Sequence, residues 1–133
     1  MYQVAAQVHE AAHRPERALP LFRKARAILE RLGKTGDPRY ASLLSQEGLA
    51  LMDDGKLVQA ESGMKRAVEL LRGPPVAVYE LAVAQSNLGL LRLRQKKYAE
   101  AEDLLTKALS GERDTAQVLR TRDALEQARS ALR

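Results

Sequence analysis

Apolar and polar positions follow a helical period through seven segments of the chain, and short turn signals separate the segments. In each segment, apolar side chains recur every three or four residues, which is the period of an amphipathic α-helix. No stretch keeps the strict alternation of a strand. The pattern therefore predicts an all-α chain with helices at approximately 2–12, 15–32, 38–53, 56–72, 75–94, 97–110 and 115–132.

Glycine, proline and aspartate mark the ends of these segments. Gly33 suits a helix C-terminus, whereas Asp37 and Pro38 suit the N-cap and first turn of the next helix. Gly55 marks another end, and a break at 95–97 is placed by analogy with it. Because the connections are short, we expect consecutive helices to be antiparallel neighbours.

Small residues recur at a fixed distance along the chain. A larger side chain at such a position would force two crossing helices apart, so the recurrence predicts repeated close helix crossings. The pairs separated by 41 residues are Gly48 and Gly89, Ala60 and Ala101, and Ala67 and Ala108, and Ala18 and Ala25 precede Ala60 and Ala67 by 42.

The order of these residues resembles the tetratricopeptide repeat, in which a small residue is followed by Ala twelve positions later and by another Ala after seven more. The segments 86–91, 97–101 and 107–109 read like a standard member of the family. The resemblance covers residues 1 to about 113, and the long period is similar to that of kinesin-light-chain repeats.

This resemblance implies a right-handed α-solenoid of three antiparallel helical hairpins plus a C-terminal capping helix, all in a single domain. The repeats would span 1–35, 36–73 and 74–113, and the cap 114–133. Arrays need such a cap to cover the last repeat, and its apolar stripe should face inward. The stripe consists of Val118, Thr121, Leu125, Ala128 and Leu132. A HEAT-like helical array is the alternative fold.

Two positions depart from the family pattern. Glu47 stands where the family has a buried Leu, and Arg92 stands where it has an aromatic residue. A buried, unpaired carboxylate is costly, so we expect Glu47 to reach solvent or a cation. Arg92 is expected to bury its aliphatic stem and keep its guanidinium in water.

The resemblance also implies a function, which is the binding of a protein or peptide on the concave face formed by the first helix of each hairpin. Amide and hydroxyl side chains there can bond a peptide backbone, and leucines can take apolar side chains. Arg94 is expected to favour an acidic residue in the ligand. The expected contact residues are Gln3, Gln7, Ser45, Gln46, Leu49, Met52, Ser86, Asn87, Leu90 and Arg94.

Composition narrows the alternatives. The chain has no cysteine, which excludes disulfides and thiol chemistry, and no apolar run long enough to span a bilayer. We expect a cytoplasmic, non-catalytic protein without a cofactor. The net charge of +5 leaves nucleic-acid binding as an alternative, but no aromatic stacking platform accompanies it.

The N-terminal segment contains the one motif that suggests catalysis. His9-Glu10-x-x-His13 matches the HExxH pattern, in which two His ligands bind zinc and Glu acts as the base, so a zinc metallopeptidase is a further alternative. The chain has no third histidine, and we predict neither a metal site nor catalysis here. This segment is short yet apolar, which predicts weak self-association through the N-terminal hairpin or a further repeat upstream.

The small positions give a direct test of the repeat register. Ala60→Leu or Ala101→Leu should each lower the free energy of unfolding by about 1–3 kcal/mol through overpacking. Urea denaturation of the two variants measures this effect. Wild-type stability in both would show that the register is wrong.

Overall fold

The computed structural model describes residues 13–73, 77–112 and 114–133. Within these ranges the chain forms six α-helices that hold 81% of the residues, and it forms no strand. The all-α prediction is confirmed. The helices are α1 (Pro15–Arg31), α2 (Pro38–Asp53), α3 (Leu57–Leu71), α4 (Val78–Arg94), α5 (Tyr98–Leu109) and α6 (Thr115–Leu132). The predicted helix at 2–12 lies outside the described residues.

Two helices begin at aspartate caps. The Asp37 carboxylate accepts the backbone N–H of Arg39 at 2.9 Å, and Pro38 opens α2 as the sequence predicted. Hydrogen bonds from the Arg39 side chain and backbone hold the pKa of Asp37 down at about 2. Asp114 caps α6 in the same way by accepting the N–H of Ala116 at 3.0 Å. Each cap satisfies a helix N–H that would otherwise lack an intrahelical partner.

Three helices end in the same left-handed turn, at Gly33, Gly55 and Lys96, whose φ angles are +69°, +78° and +62°. The residue after each of them donates its N–H to the carbonyl five positions earlier, as Lys97 does to Arg92 at 2.8 Å. This is the Schellman arrangement, which satisfies carbonyls at a helix C-terminus. The break placed at 95–97 by analogy with Gly55 is therefore confirmed.

The chain divides into two compact units, one ending at Leu70 and one from Leu71 to Arg133. Phe22, Leu44 and Met64 are buried in the first unit, and Leu91 and Leu105 are buried in the second. The repeat boundaries and the single-domain organisation stay predictions. In the described residues, no helix is both long and apolar enough to cross a membrane.

Each unit contains one very close helix crossing at a glycine. A Cβ atom added to Gly48 would lie 2.5 Å from Met64 Cγ, and one added to Gly89 would lie 2.8 Å from Leu105 Cγ. Both the glycines and their partners are 41 residues apart in sequence, so the two crossings are equivalent. Ala18, Ala60, Ala67, Ala101 and Ala108 have no exposed surface. The recurring small residues therefore mark the positions where helices pack most closely. Ala25 is the exception, since it is only half-buried.

The buried side of α6 differs in part from the prediction. Thr121, Leu125 and Ala128 are buried as expected, together with Gln117 and Ala124. Val118 is only half-buried and Leu132 is 49% exposed, so the expectation for Leu132 is wrong. Leu132 is the last residue of α6, three positions after Arg129, which contacts Glu102 near the start of α5 at 3.4 Å.

Lys96 is the one non-glycine residue among the three left-handed helix ends. The left-handed conformation costs an L-residue about 1–2 kcal/mol, whereas a glycine loses about 0.5–1 kcal/mol more backbone entropy on folding. Lys96→Gly should therefore raise the free energy of unfolding by about 0.5–1 kcal/mol, measured by urea denaturation.

Lys65→Gly is the matched control, because Lys65 is exposed in the interior of α3, where the backbone is right-handed and glycine is unfavourable. It should lose stability. A loss of stability in Lys96→Gly as well would contradict this explanation.

Candidate protein-interaction surface

Helix α2 presents one partly exposed stripe, which we call the α2 stripe, formed by Ser42, Gln46, Leu49 and Asp53. These residues are spaced by four, three and four positions, so they share one side of the helix. All four side chains are half-buried. The stripe therefore keeps accessible atoms of a hydroxyl, an amide, a leucine and a carboxylate in one line.

Helix α4 carries the equivalent α4 stripe, 41 residues later, formed by Val83, Asn87, Leu90 and Arg94. Val83 and Leu90 are half-buried and Arg94 is exposed, whereas Asn87 is only 1% exposed. Leu90 also packs against the cluster that includes Leu105 and Leu125. The accessible part of this stripe is therefore more apolar than that of α2, and it ends in a cation.

The structure buries four of the ten residues predicted to contact a ligand. Ser45, Met52, Ser86 and Asn87 are 2%, 8%, 0% and 1% exposed, so the expectation that they lie open in a groove is wrong. The reason is that α1 and α3 pack on α2, as α5 and α6 do on α4. Four predicted residues remain accessible, namely Gln46, Leu49, Leu90 and Arg94. Gln3 and Gln7 lie outside the described residues.

A chain of hydroxyl groups connects α4 to α6. The Ser86 and Thr121 hydroxyl oxygens lie 2.7 Å apart, and Thr121 donates to Glu112 Oε1 at 2.7 Å. Because the single proton of Thr121 goes to the carboxylate, Ser86 donates to Thr121. Sequence reasoning took Thr121 as part of an apolar stripe and missed Glu112, since only the packing brings these groups together. Ser86 thus has a structural role.

Comparison with solved structures relates this arrangement to known proteins. The chain superimposes on the crystal structure of BtubC (BKLC) from P. vanneervenii, a kinesin light chain-like protein, with a TM-score of 0.83 and 19% identity over 98% of this chain. It covers 55% of BtubC, so it spans about half the length of that protein. The Sgt2 TPR domain from Aspergillus fumigatus gives a TM-score of 0.72 with 21% identity, covering 98% of this chain and 76% of the domain.

The fold is that of tetratricopeptide-type helical repeats. At these identities the likeness shows the fold alone. No protein-family model matches the sequence, and the search of curated proteins gave no match. The tetratricopeptide resemblance read from the small residues is therefore confirmed by structure rather than by sequence comparison.

Glu47, at a tetratricopeptide position that is usually a buried Leu, finds a cation as predicted. Its carboxylate lies 3.3 Å from the Arg26 guanidinium, and the Glu47 side chain is only 12% exposed. Next to this pair, the buried Tyr40 hydroxyl donates to Glu30 at 2.9 Å. Burial, with the hydrogen bond to Glu30, raises the pKa of Tyr40 above its ordinary value. A polar network therefore replaces an apolar contact between α1 and α2.

Arg92, at the usual aromatic position, is held differently from the prediction. The side chain is 8% exposed, and Nε lies 3.0 Å from the Glu100 carboxylate. A second guanidinium nitrogen donates to Gln95 Oε1 at 2.8 Å. The expectation that the guanidinium stays in water is wrong, because a carboxylate on α5 and an amide at the end of α4 replace that water.

The described part of the HExxH motif is His13. Its ring is 79% exposed, and Nδ1 lies 3.1 Å from Asp53 Oδ2 at the end of the α2 stripe. His9 and Glu10 lie outside the described residues. In the ranges that the structure describes, no group of three His, Asp or Glu side chains is arranged to hold a metal ion.

Asn87 and Gln46 occupy equivalent repeat positions but differ in burial, which gives a matched pair of variants. Asn87→Ala should lower the free energy of unfolding by about 1–3 kcal/mol, because it removes a buried hydrogen-bonding side chain. Gln46→Ala removes a half-exposed amide and should cost less than about 1 kcal/mol. Urea denaturation of both proteins checks this order, and equal effects would contradict the burial of Asn87.

Proposed function

We propose that the chain is a non-catalytic protein-interaction module in which the α2 stripe and the α4 stripe each bind a protein or peptide segment. The observation that carries the proposal is the placement of Leu49 and Leu90. These two leucines are equivalent in the repeat, and both keep part of their surface accessible on a helix whose other sides are packed. Helical-repeat proteins bind extended or helical segments on such surfaces.

Polar residues near each leucine would set the orientation of a bound peptide. Gln46 lies nearly one turn from Leu49 on the same side of α2, and an amide can pair with both the N–H and the C=O of a peptide. The α4 stripe has a buried Asn87 at the equivalent position, so Leu90 and Val83 would dominate contacts there. We infer that a segment bound at the α2 stripe makes polar and apolar contacts and that a segment bound at the α4 stripe makes mainly apolar ones.

The charges at the ends of the two stripes differ. Asp53 ends the α2 stripe and is contacted by His13, whereas Arg94 ends the α4 stripe and is exposed. A ligand on the α4 stripe would therefore carry an acidic residue opposite Arg94, while the α2 stripe offers no matching cation. A cytoplasmic location belongs to the same proposal.

The experiment first needs a partner and then a quantitative comparison. Proteins captured by the wild-type chain from a native extract would be identified, and the one retained most strongly would be purified for calorimetry. Leu90→Ala should weaken its binding by about 1–2 kcal/mol, from the apolar surface lost. Arg94→Glu should also weaken binding, and the loss of affinity should be larger at low salt than at high salt, because salt screens the attraction between exposed charges.

Lys65→Ala is the control, because Lys65 is exposed on α3 and belongs to neither stripe. It should bind the partner as the wild type does. Leu90 is partly packed, so the stability of each variant is measured alongside its affinity, whereas the exposed Arg94 gives a variant free of that complication. If both stripe variants bind normally and an α3 variant does not, the interaction function survives and the stripes are not its site.

A further inference from the structure

The positive charge of this protein is concentrated in one short part of the sequence. Residues 14–34 contain seven Arg and Lys residues and two Glu residues, a net charge of +5. The whole chain also has a net charge of +5, so the remaining residues are electrically balanced. This part of the chain is α1 with its two flanks.

Three of these cations form a row on the outer side of α1. Arg17, Lys24 and Arg31 are seven residues apart and all exposed. Seven residues are two helical turns, so neighbouring charges in the row are separated by about 10 Å along the helix. The buried residues Ala18 and Phe22 lie on the other side of α1, against the core.

Two cations of the row, Arg17 and Arg31, differ from Arg26 in their ion pairing. Arg26 lies near the core and pairs with Glu47 at 3.3 Å and with Glu30 at 3.7 Å. Arg17 and Arg31, in contrast, make no ion pair with any residue that the structure describes. With respect to the described residues, these two exposed guanidinium groups therefore offer their charge to an anionic partner.

Apolar surface lies beside the row. Ile28 is 38% exposed and falls between Lys24 and Arg31 on the same side of the helix, and Leu32, one turn after Ile28, is 62% exposed. Together, Arg17, Lys24, Ile28, Arg31 and Leu32 form what we call the α1 outer face. This face combines positive charge with exposed apolar side chains. Contact with water alone does not favour exposed apolar side chains, so the combination points to an interaction site.

Three kinds of anionic partner differ in how well they match this combination. A nucleic-acid backbone offers phosphates but no apolar side chains, and it would leave Ile28 and Leu32 unused. A membrane surface favours a broad apolar face with aromatic anchors, whereas the α1 outer face has two apolar residues, Ile28 and Leu32. The aromatic residue of α1, Phe22, is 1% exposed and faces the core. An acidic amphipathic helix, with carboxylates two turns apart and an apolar residue between them, matches both features.

We propose that the α1 outer face, whose residues belong to neither the α2 nor the α4 stripe, docks an acidic amphipathic helix of a partner protein. The carboxylates of that helix pair with Arg17, Lys24 and Arg31, and its apolar residues cover Ile28 and Leu32. Charge attraction speeds the encounter and sets the orientation, and the apolar contact adds affinity.

The test uses a fluorescein-labelled helical peptide with Glu at every seventh position and Leu between the Glu residues. A matched peptide has Gln in place of each Glu. Anisotropy titration should show binding of the Glu peptide that weakens as salt is raised, and at least about tenfold weaker binding of the Gln peptide. Duplex DNA and vesicles with anionic lipid are titrated in parallel.

The decisive variant is the triple substitution Arg17→Glu, Lys24→Glu and Arg31→Glu, which should weaken the Glu peptide by more than about tenfold. The control is a triple substitution of exposed cations on or just after α3, Lys65→Glu, Arg66→Glu and Arg72→Glu, with the same change in net charge. It should change affinity by less than about twofold, because it leaves the face intact. Circular dichroism and thermal melting establish that both proteins are folded.

A third variant, Ile28→Ser, changes no charge and should weaken the Glu peptide several-fold if the apolar contact is real. Equal losses in the two triple variants would overturn the proposal, since they would show attraction by net charge alone. Absence of peptide binding, or tighter binding of DNA or of vesicles than of the Glu peptide, would overturn it as well. None of these results bears on Leu90 or Arg94, so this proposal and the proposed function fail independently.

Discussion

The close approach of two helices at Gly48, and again at Gly89, is the constraint on which the described structure depends. Met64 and Leu105 occupy the space where a glycine Cβ would be, so the side chain of one helix packs directly on the backbone of the other. Ala60 and Ala101 on the facing helices are fully buried, and their small side chains also allow a close approach. Close-packed interiors do not tolerate added volume at such points, and this explains why the same residue sizes return after 41 positions.

Each unit accepts one charged residue at a core position where its counterpart keeps a leucine. The first unit has Glu47 with Leu51, and the second has Leu88 with Arg92, at equivalent positions. Arg26 pairs with Glu47, and Glu100 pairs with Arg92, so neither buried charge lacks a partner. A partnered charge avoids the large desolvation cost, but its pairing adds little net stability compared with an apolar residue. These pairs therefore distinguish the two repeats more than they strengthen them.

The two proposed surfaces differ in chemistry. The α2 and α4 stripes offer single accessible leucines on tightly packed helices, so they suit apolar anchors of a ligand. The α1 outer face offers a regular row of cations with two exposed apolar residues, Ile28 and Leu32, beside it, so it suits recognition through charge spacing with an added apolar contact. Since charge affects association rates and apolar burial affects dissociation rates, the two surfaces are distinguishable kinetically as well as by mutation.

The sequence by itself determined the helices and the register of their packing. Caps such as Asp37, helix ends such as Gly33 and the spacing of small residues are local or periodic features, and they do not depend on what lies across the core. The tertiary structure alone decided that Asn87 and Ser86 are buried, that Arg92 pairs with Glu100, and that Ala124 rather than Leu132 faces inward on α6. Each of these depends on which side chains from distant parts of the sequence approach a given atom, because burial and ion pairing are properties of the assembled helices rather than of one helix alone.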